Sequence, residues 1–184
     1  MKRYILFHKP YGVLSQFTPE DGAKALSSFD LPKDIYPAGR LDKDSEGLLL
    51  LTNDGELIEK ILNPKSEKEK TYLALIERVP SETSLKKFEQ GLKIEDYLTR
   101  PAKIRLLPDL TLPERDPPVR VRKSVQDIWA EIKICEGKNR QVRKMTAAIG
   151  HPTLRLIRTH ILNLSLGDLK IGEWREISRE DILL

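Results

Sequence analysis

Four leucines in a row, Leu48 to Leu51, constrain the fold of this chain more than any other feature, because a segment with no polar face needs cover on both sides. The run is short and closes at Thr52. Asn53-Asp54-Gly55-Glu56 follows at once, and Asn53 and Glu56 have the spacing of a capping box. The expectation is a buried strand feeding a helix of about Asp54 to Leu62, stopped by Asn63-Pro64.

The same reasoning places further elements around it. Arg3 to Phe7 reads as a strand ended by Lys9-Pro10-Tyr11-Gly12, and the alternation from Lys70 to Ile76 as another. Ser81 to Gln90, with a Ser start and a Gly91 stop, reads as a short helix, and residues 92 to 107 as a strand pair. Pro113, Pro117 and Pro118 forbid a regular ladder between Pro108 and Val125, which predicts a long surface loop. Ile128 to Ile134 alternates as a half-buried strand, Gly137 turns into a helix from about Asn139 to Ile149, and strands follow at Thr153 to Ile161 and Glu173 to Ile177. Ser178 begins a last helical turn. This mixture of helices after strands and of hairpins predicts an α+β fold with a mixed, largely antiparallel sheet.

A single cysteine, Cys135, excludes an internal disulfide, and the histidines His8, His151 and His160 lack ligand spacing, so no metal site is expected. No stretch approaches the roughly 20 apolar residues of a membrane span, and the apolar run Tyr4 to Phe7 is too short for a signal sequence. A cytoplasmic protein without membrane association follows. A chain of this size needs no partner to fold, so a monomer is expected. The net charge of +4, from 32 Lys and Arg against 28 Asp and Glu, would not by itself announce a polyanion partner.

The distribution of charge says more. In Gly39-Arg40-Leu41-Asp42-Lys43-Asp44-Ser45-Glu46-Gly47 an aspartate sits on a glycine-flanked loop directly before the leucine strand, a place where a carboxylate can be both exposed and braced. On composition alone a solvated charged turn is the commoner outcome. In Glu136-Gly137-Lys138-Asn139-Arg140-Gln141-Val142-Arg143-Lys144-Met145 a turn leads into a helix. At about 100° per residue, Arg140, Arg143 and Lys144 share one face, with Ala147 among them, and Val142, Met145 and Ile149 the other. From Lys138 to Arg158 there are six Lys or Arg and no Asp or Glu, the footprint expected for phosphate contact.

The two segments, with Ser45-x-Gly47, Thr52-Asn53-Asp54-Gly55 and Lys70-Thr71-Tyr72 between them, resemble in order and spacing the RsuA/Rlu family of pseudouridine synthases over nearly the whole chain. The opening Tyr4 to Gly12 is similar to the start of the family's catalytic domain, with no N-terminal S4 RNA-binding domain before it. That is a trait of the RluE branch. So are Gln16-Phe17-Thr18, Asp116 to Arg120, Arg122-Lys123-Ser124, Pro152 to Arg158 and Gly172 to Glu176.

The resemblance implies a pseudouridine synthase catalytic fold, one domain over 1–184 with two α+β lobes, approximately 1–63 and 64–184, and the active-site cleft between them. It implies isomerisation of a uridine in 23S rRNA without a cofactor. Asp42 matches the family's nucleophilic aspartate, Arg143 its basic partner, and Tyr72 the tyrosine that packs on the target base. Leu156 matches the apolar residue closing the pocket, and Arg40 is the candidate to fill the gap left by a flipped base or to hold the displaced strand. Lys138, Asn139, Arg140 and Lys144, with Arg120, Arg122 and Lys123 of the long loop, would grip the RNA backbone. Arg143 equally suits a phosphate clamp, and Tyr72 and Leu156 equally suit a core.

Alternatives are a synthase acting on 16S rRNA or tRNA and a non-catalytic RNA-binding or ribosome-assembly factor. A two-carboxylate hydrolase using Asp42 and Asp44 ranks last, since residues two apart on a strand lie about 6.6 Å from each other. Trp129, Trp174 and Cys135 are assigned to packing.

Overall fold

The structure is a computed structural model that describes residues 1–120 and 125–184. In chain order its strands are β1 (Tyr4–Lys9), β2 (Tyr36–Pro37), β3 (Glu46–Thr52), β4 (Lys70–Glu77), β5 (Lys93–Ile94), β6 (Tyr97–Leu98), β7 (Lys103–Leu107), β8 (Asp127–Ile134), β9 (Thr153–Ile161), β10 (Leu164–Ser165) and β11 (Trp174–Ile177). Its α-helices are α1 (Gly55–Leu62), α2 (Glu82–Gln90) and α3 (Gln141–Ala148). The fold is α+β. The chain forms two compact units, Met1–Lys68 with Ile157–Leu184, and Glu69–Leu156. The expected division into 1–63 and 64–184 therefore meets a different grouping at the C-terminus: β11 pairs with β1, which ties the last segment to the first unit.

In the first unit the strand order is β11-β1-β3-β9, with β2 on β3 and β10 on β9. The leucine strand behaves as its composition demands, every residue of β3 being buried. Antiparallel register sets Ile5 opposite Leu51 and Phe7 opposite Leu49. All four point into one core with Val13, Leu26 and Ile35, because alternate residues of a strand share a face. Each fully buried leucine contributes roughly 1.5–3 kcal/mol. Phe29 closes this core edge-on to Phe7, their ring centroids 5.0 Å apart.

The helix after β3 is capped one residue later than the capping-box spacing suggests. Asp54, not Asn53, accepts the Leu57 N–H, while the Asn53 side chain accepts from the Arg3 backbone. Burial decides between them: Asp54 also holds Lys2 at 3.0 Å and the Tyr4 hydroxyl at 2.9 Å. At the other end of the chain, Ser178 starts a hydrogen-bonded turn around Asp181 rather than a helix.

In the second unit β4 pairs antiparallel with β8 along its whole length, from Lys70 opposite Ile134 to Glu77 opposite Asp127, and β7 lies on the far side of β8. Ile128, Ala130, Ile132 and Ile134 form the buried face of β8. Trp129, on the other face, is buried as well, with the Arg155 guanidinium 5.9 Å from its ring centroid. Ser81 caps α2, and Gly91 ends it with φ of 98°, which favours a residue without Cβ. Residues 92–107 hold three short strands rather than a pair: β5 and β6 make a small hairpin, and β7 joins β8. No helix among the described residues is long and apolar enough to cross a membrane.

Candidate functional site

Asp42 lies in the first unit, half-buried, on a loop whose backbone is tied down on both sides. The buried Ser15 hydroxyl donates to the Leu41 carbonyl at 2.7 Å and accepts the Leu41 N–H at 3.1 Å. Ser45 N–H bonds to the Asp42 carbonyl at 3.0 Å, and Gly12 N–H to the Lys43 carbonyl at 2.8 Å. The loop then runs into β3, where Gly47 adopts φ of 108° and faces Lys9 on one side and Arg158 of β9 on the other. A Cβ at Gly47 would lie 2.7 Å from the Arg158 backbone nitrogen and closer still to its carbonyl oxygen, so glycine is what lets β9 approach.

Beneath this loop is a set of buried charges. Lys9 is fully buried at the end of β1, donating to the carbonyls of Pro10 at 2.9 Å and Val13 at 2.7 Å. Burial, with a smaller contribution from the Arg158 cation, lowers its pKa to about 7 against the opposing pull of the Glu46, Asp42 and Asp44 carboxylates. Glu46 and Arg158 are themselves buried, and the Arg158 Nε donates to the Leu48 carbonyl at 2.9 Å. These three residues escaped the sequence reading. A lysine closing an otherwise apolar strand directly before Pro10-Tyr11-Gly12 was the available signal.

Arg40, also in the first unit, is exposed and donates to Gln16 Oε1 at 3.0 Å.

The other expected residues belong to the second unit. Tyr72 sits on β4 opposite Ile132, only 8% exposed, and Leu156 on β9 is 5% exposed. Arg143, half-buried on α3, donates through Nη1 to the Thr153 carbonyl at 3.2 Å. The Thr146 hydroxyl bridges the same two segments, donating to the Arg143 carbonyl and lying 2.7 Å from the Thr153 hydroxyl. Val142 and Met145 are buried as the helical period predicts.

Lys138, Asn139 and Arg140 are exposed in the turn before α3. Here the expectation needs correction: Arg140 is not on the helix face but immediately precedes it, with φ of 53°, so that helical periodicity does not govern its direction. The basic stretch also has an acidic neighbour that sequence order hides. Glu95, in the β5–β6 hairpin, pairs with Lys144 at 2.9 Å, and Tyr97 places its ring 4.6 Å from the Lys138 ammonium. Arg120 is exposed on the long loop, which Arg155 holds by donating to the Pro113 carbonyl at 2.7 Å. Arg122 and Lys123 lie outside the described residues.

Known proteins similar to this chain in sequence and fold point one way. The profile of the RNA pseudouridylate synthase family matches residues 3–148. Ribosomal large subunit pseudouridine synthase E of Vibrio vulnificus is 50% identical over 177 residues, covering 96% of this chain and 76% of that protein. The enzyme of the same name from Xanthomonas campestris is 50% identical over 174 residues, covering 93% of each. A crystal structure of a pseudouridylate synthase superposes with a TM-score of 0.80 at 30% identity, over 98% of this chain and 72% of that one.

Proposed function

The chain belongs to the RNA pseudouridylate synthase family, and from that premise we propose that it converts a uridine of large-subunit (23S) rRNA to pseudouridine with the Asp42 carboxylate as nucleophile. The observation that carries the substrate is the 50% identity, over almost the whole of both chains, to an enzyme named for the large ribosomal subunit. The reaction breaks the C1′–N1 bond, turns the base, and joins C1′ to C5. The proton lost from C5 is balanced by one gained at N1, so the product is an isomer and the reaction balances without a redox partner or group donor. A carboxylate nucleophile splits detachment from reattachment, and it must be ionised to act.

The loop geometry suits that role. Hydrogen bonds fix the backbone at Leu41, Asp42 and Lys43 while the Asp42 side chain stays half-buried. Arg143 serves as the basic partner in the reaction, Tyr72 packs on the target base and assists loss of the C5 proton, and Leu156 supplies apolar contact to it. Arg40, exposed in the first unit, serves to occupy the gap left by the flipped uridine or to hold the displaced strand. Lys138, Asn139, Arg140, Lys144 and Arg120 grip phosphates, which positions the RNA without choosing the base. A cytoplasmic enzyme working as a monomer completes this reading.

The test is tritium release from a 23S rRNA transcript labelled at uridine C5. Wild type releases tritium, and Asp42→Asn, which keeps shape and removes charge, loses roughly a thousandfold or more of the rate while still folding and binding RNA. RNA binding without release by wild type would instead identify a non-catalytic binding factor.

A further inference from the structure

The turn Gly137 to Arg140 is exposed along its whole length, yet one buried side chain, just beyond its end, reaches back to its start. Gln141 is only 3% exposed. Its Oε1 accepts the Lys138 N–H at 3.1 Å, and its Nε2 donates to Glu136 Oε2 at 2.6 Å. The backbone closes the same turn, Gln141 N–H bonding to the Lys138 carbonyl at 3.1 Å. Glu136 is anchored in turn: the same carboxylate oxygen accepts the Arg100 N–H at 2.9 Å, and its carbonyl accepts from Lys70 Nζ at 3.2 Å. Within this clamp Arg140 is held at φ 53° and ψ 30°, a conformation that costs a residue with a Cβ free energy and persists when its surroundings impose it.

The chemistry of the clamp is specific. The side chain at 141 must accept from a backbone N–H and donate to a carboxylate, and it must do so from inside the core. An amide carries a separate acceptor oxygen and donor nitrogen that can serve the two partners at once, and glutamine has the length. A glutamate there would set two carboxylates against each other.

We propose that Gln141 is a positioning residue: by clamping Lys138 to Glu136 it presets the turn that presents Lys138, Asn139 and Arg140 to RNA phosphates, and so governs RNA affinity rather than the bond-making steps. The proposal rests on the reading of the chain as an rRNA-modifying synthase. Preorganisation explains why the clamp belongs here, because a loose basic turn would lose conformational entropy each time RNA bound.

The experiment compares wild type, Gln141→Glu and the exchange Glu136→Gln with Gln141→Glu, using both direct binding of the 23S rRNA transcript and tritium release. At pH 8 Gln141→Glu raises KM and Kd roughly tenfold, the scale of a lost charge-assisted hydrogen bond, with kcat within about twofold of wild type. Two carboxylates at this distance share a proton as pH falls, so the variant's KM relative to wild type recovers towards pH 5.5. The exchange returns a donor and an acceptor to the pair and restores much of the affinity at pH 8, which a mere packing role would not predict. Unchanged KM and Kd in Gln141→Glu would overturn the proposal, as would a fall in kcat at constant KM, or an exchange variant no better than the single one. If Gln141→Glu does not fold, the folded exchange variant decides: affinity near wild type supports the clamp, and affinity tenfold weaker overturns it. Wild type that binds RNA without tritium release defeats the synthase reading alone, since the binding comparison still stands.

Discussion

The loop that carries Asp42 and the turn that carries Lys138, Asn139 and Arg140 are held by opposite means. The first is fastened to a strand with no exposed residue, largely through backbone hydrogen bonds and the buried Ser15 hydroxyl. The second lies outside regular structure and depends on the side chains of Gln141 and Glu136. A nucleophile needs a fixed place, and a strand buried on both faces supplies it whatever the loop's own sequence. A phosphate grip needs many exposed cations on one short segment, where few backbone partners exist, so side chains must set its shape. Changes near Asp42 should therefore register first in stability, and changes near the turn in RNA binding.

The largest test of that contrast is Gly47→Ala. Its φ of 108° and the crowding against the Arg158 backbone together should cost roughly 3 kcal/mol or more, read as a lowered urea midpoint. A loss below about 1 kcal/mol would show that the strand beneath Asp42 yields easily, and the comparison would fail.

Lys9 gives the second test, through pH. Its folded pKa of about 7 lies below the 10.5 of an ordinary lysine, so between those values the unfolded chain holds a proton that the folded chain has released. Stability from this group must then rise with pH above about 7, by up to roughly 1.4 kcal/mol per pH unit at the steepest. Below about pH 7 both states are protonated, and the slope from Lys9 vanishes. Lys9→Met should flatten the rise between pH 7 and pH 9 in urea melts. Equal slopes in the two proteins would remove Lys9 from the account.

The smallest effect is expected at Glu95. Its pair with Lys144 is open to solvent on the Glu95 side and contributes about 0.2–1 kcal/mol, so Glu95→Gln should lower the melting temperature by no more than about 4 °C. Releasing Lys144 to the RNA should tighten binding about two- to fivefold at low salt, with the gain fading as salt rises. A variant that loses stability but binds RNA as before would reverse the contrast.

Much of the fold was legible because the period of apolar residues reports which faces are buried. Alternation located β4 and β8, the unbroken apolar run located the leucine strand, the residues after Pro152 β9, and Ser81 and Gly91 both caps of α2, while the Asp42 and Lys138 segments were visible as motifs. Asn53 and Asp54 are both competent caps, and the choice fell to Asp54 through Lys2 and Tyr4, which sequence spacing cannot weigh. Arg140 was misplaced on the helix face because a single left-handed residue breaks the helical period.

The sequence by itself determined the longer strands, their buried faces and the residue types able to act on RNA, since these follow from local chemistry and spacing. Only tertiary structure decided that Lys9 is buried under Asp42's loop, that Glu95 meets Lys144, and that Gln141 closes a turn against Glu136. Each of these joins groups whose partner depends on how the chain returns, and burial, which sets the strength of such pairings, is a property of the folded whole.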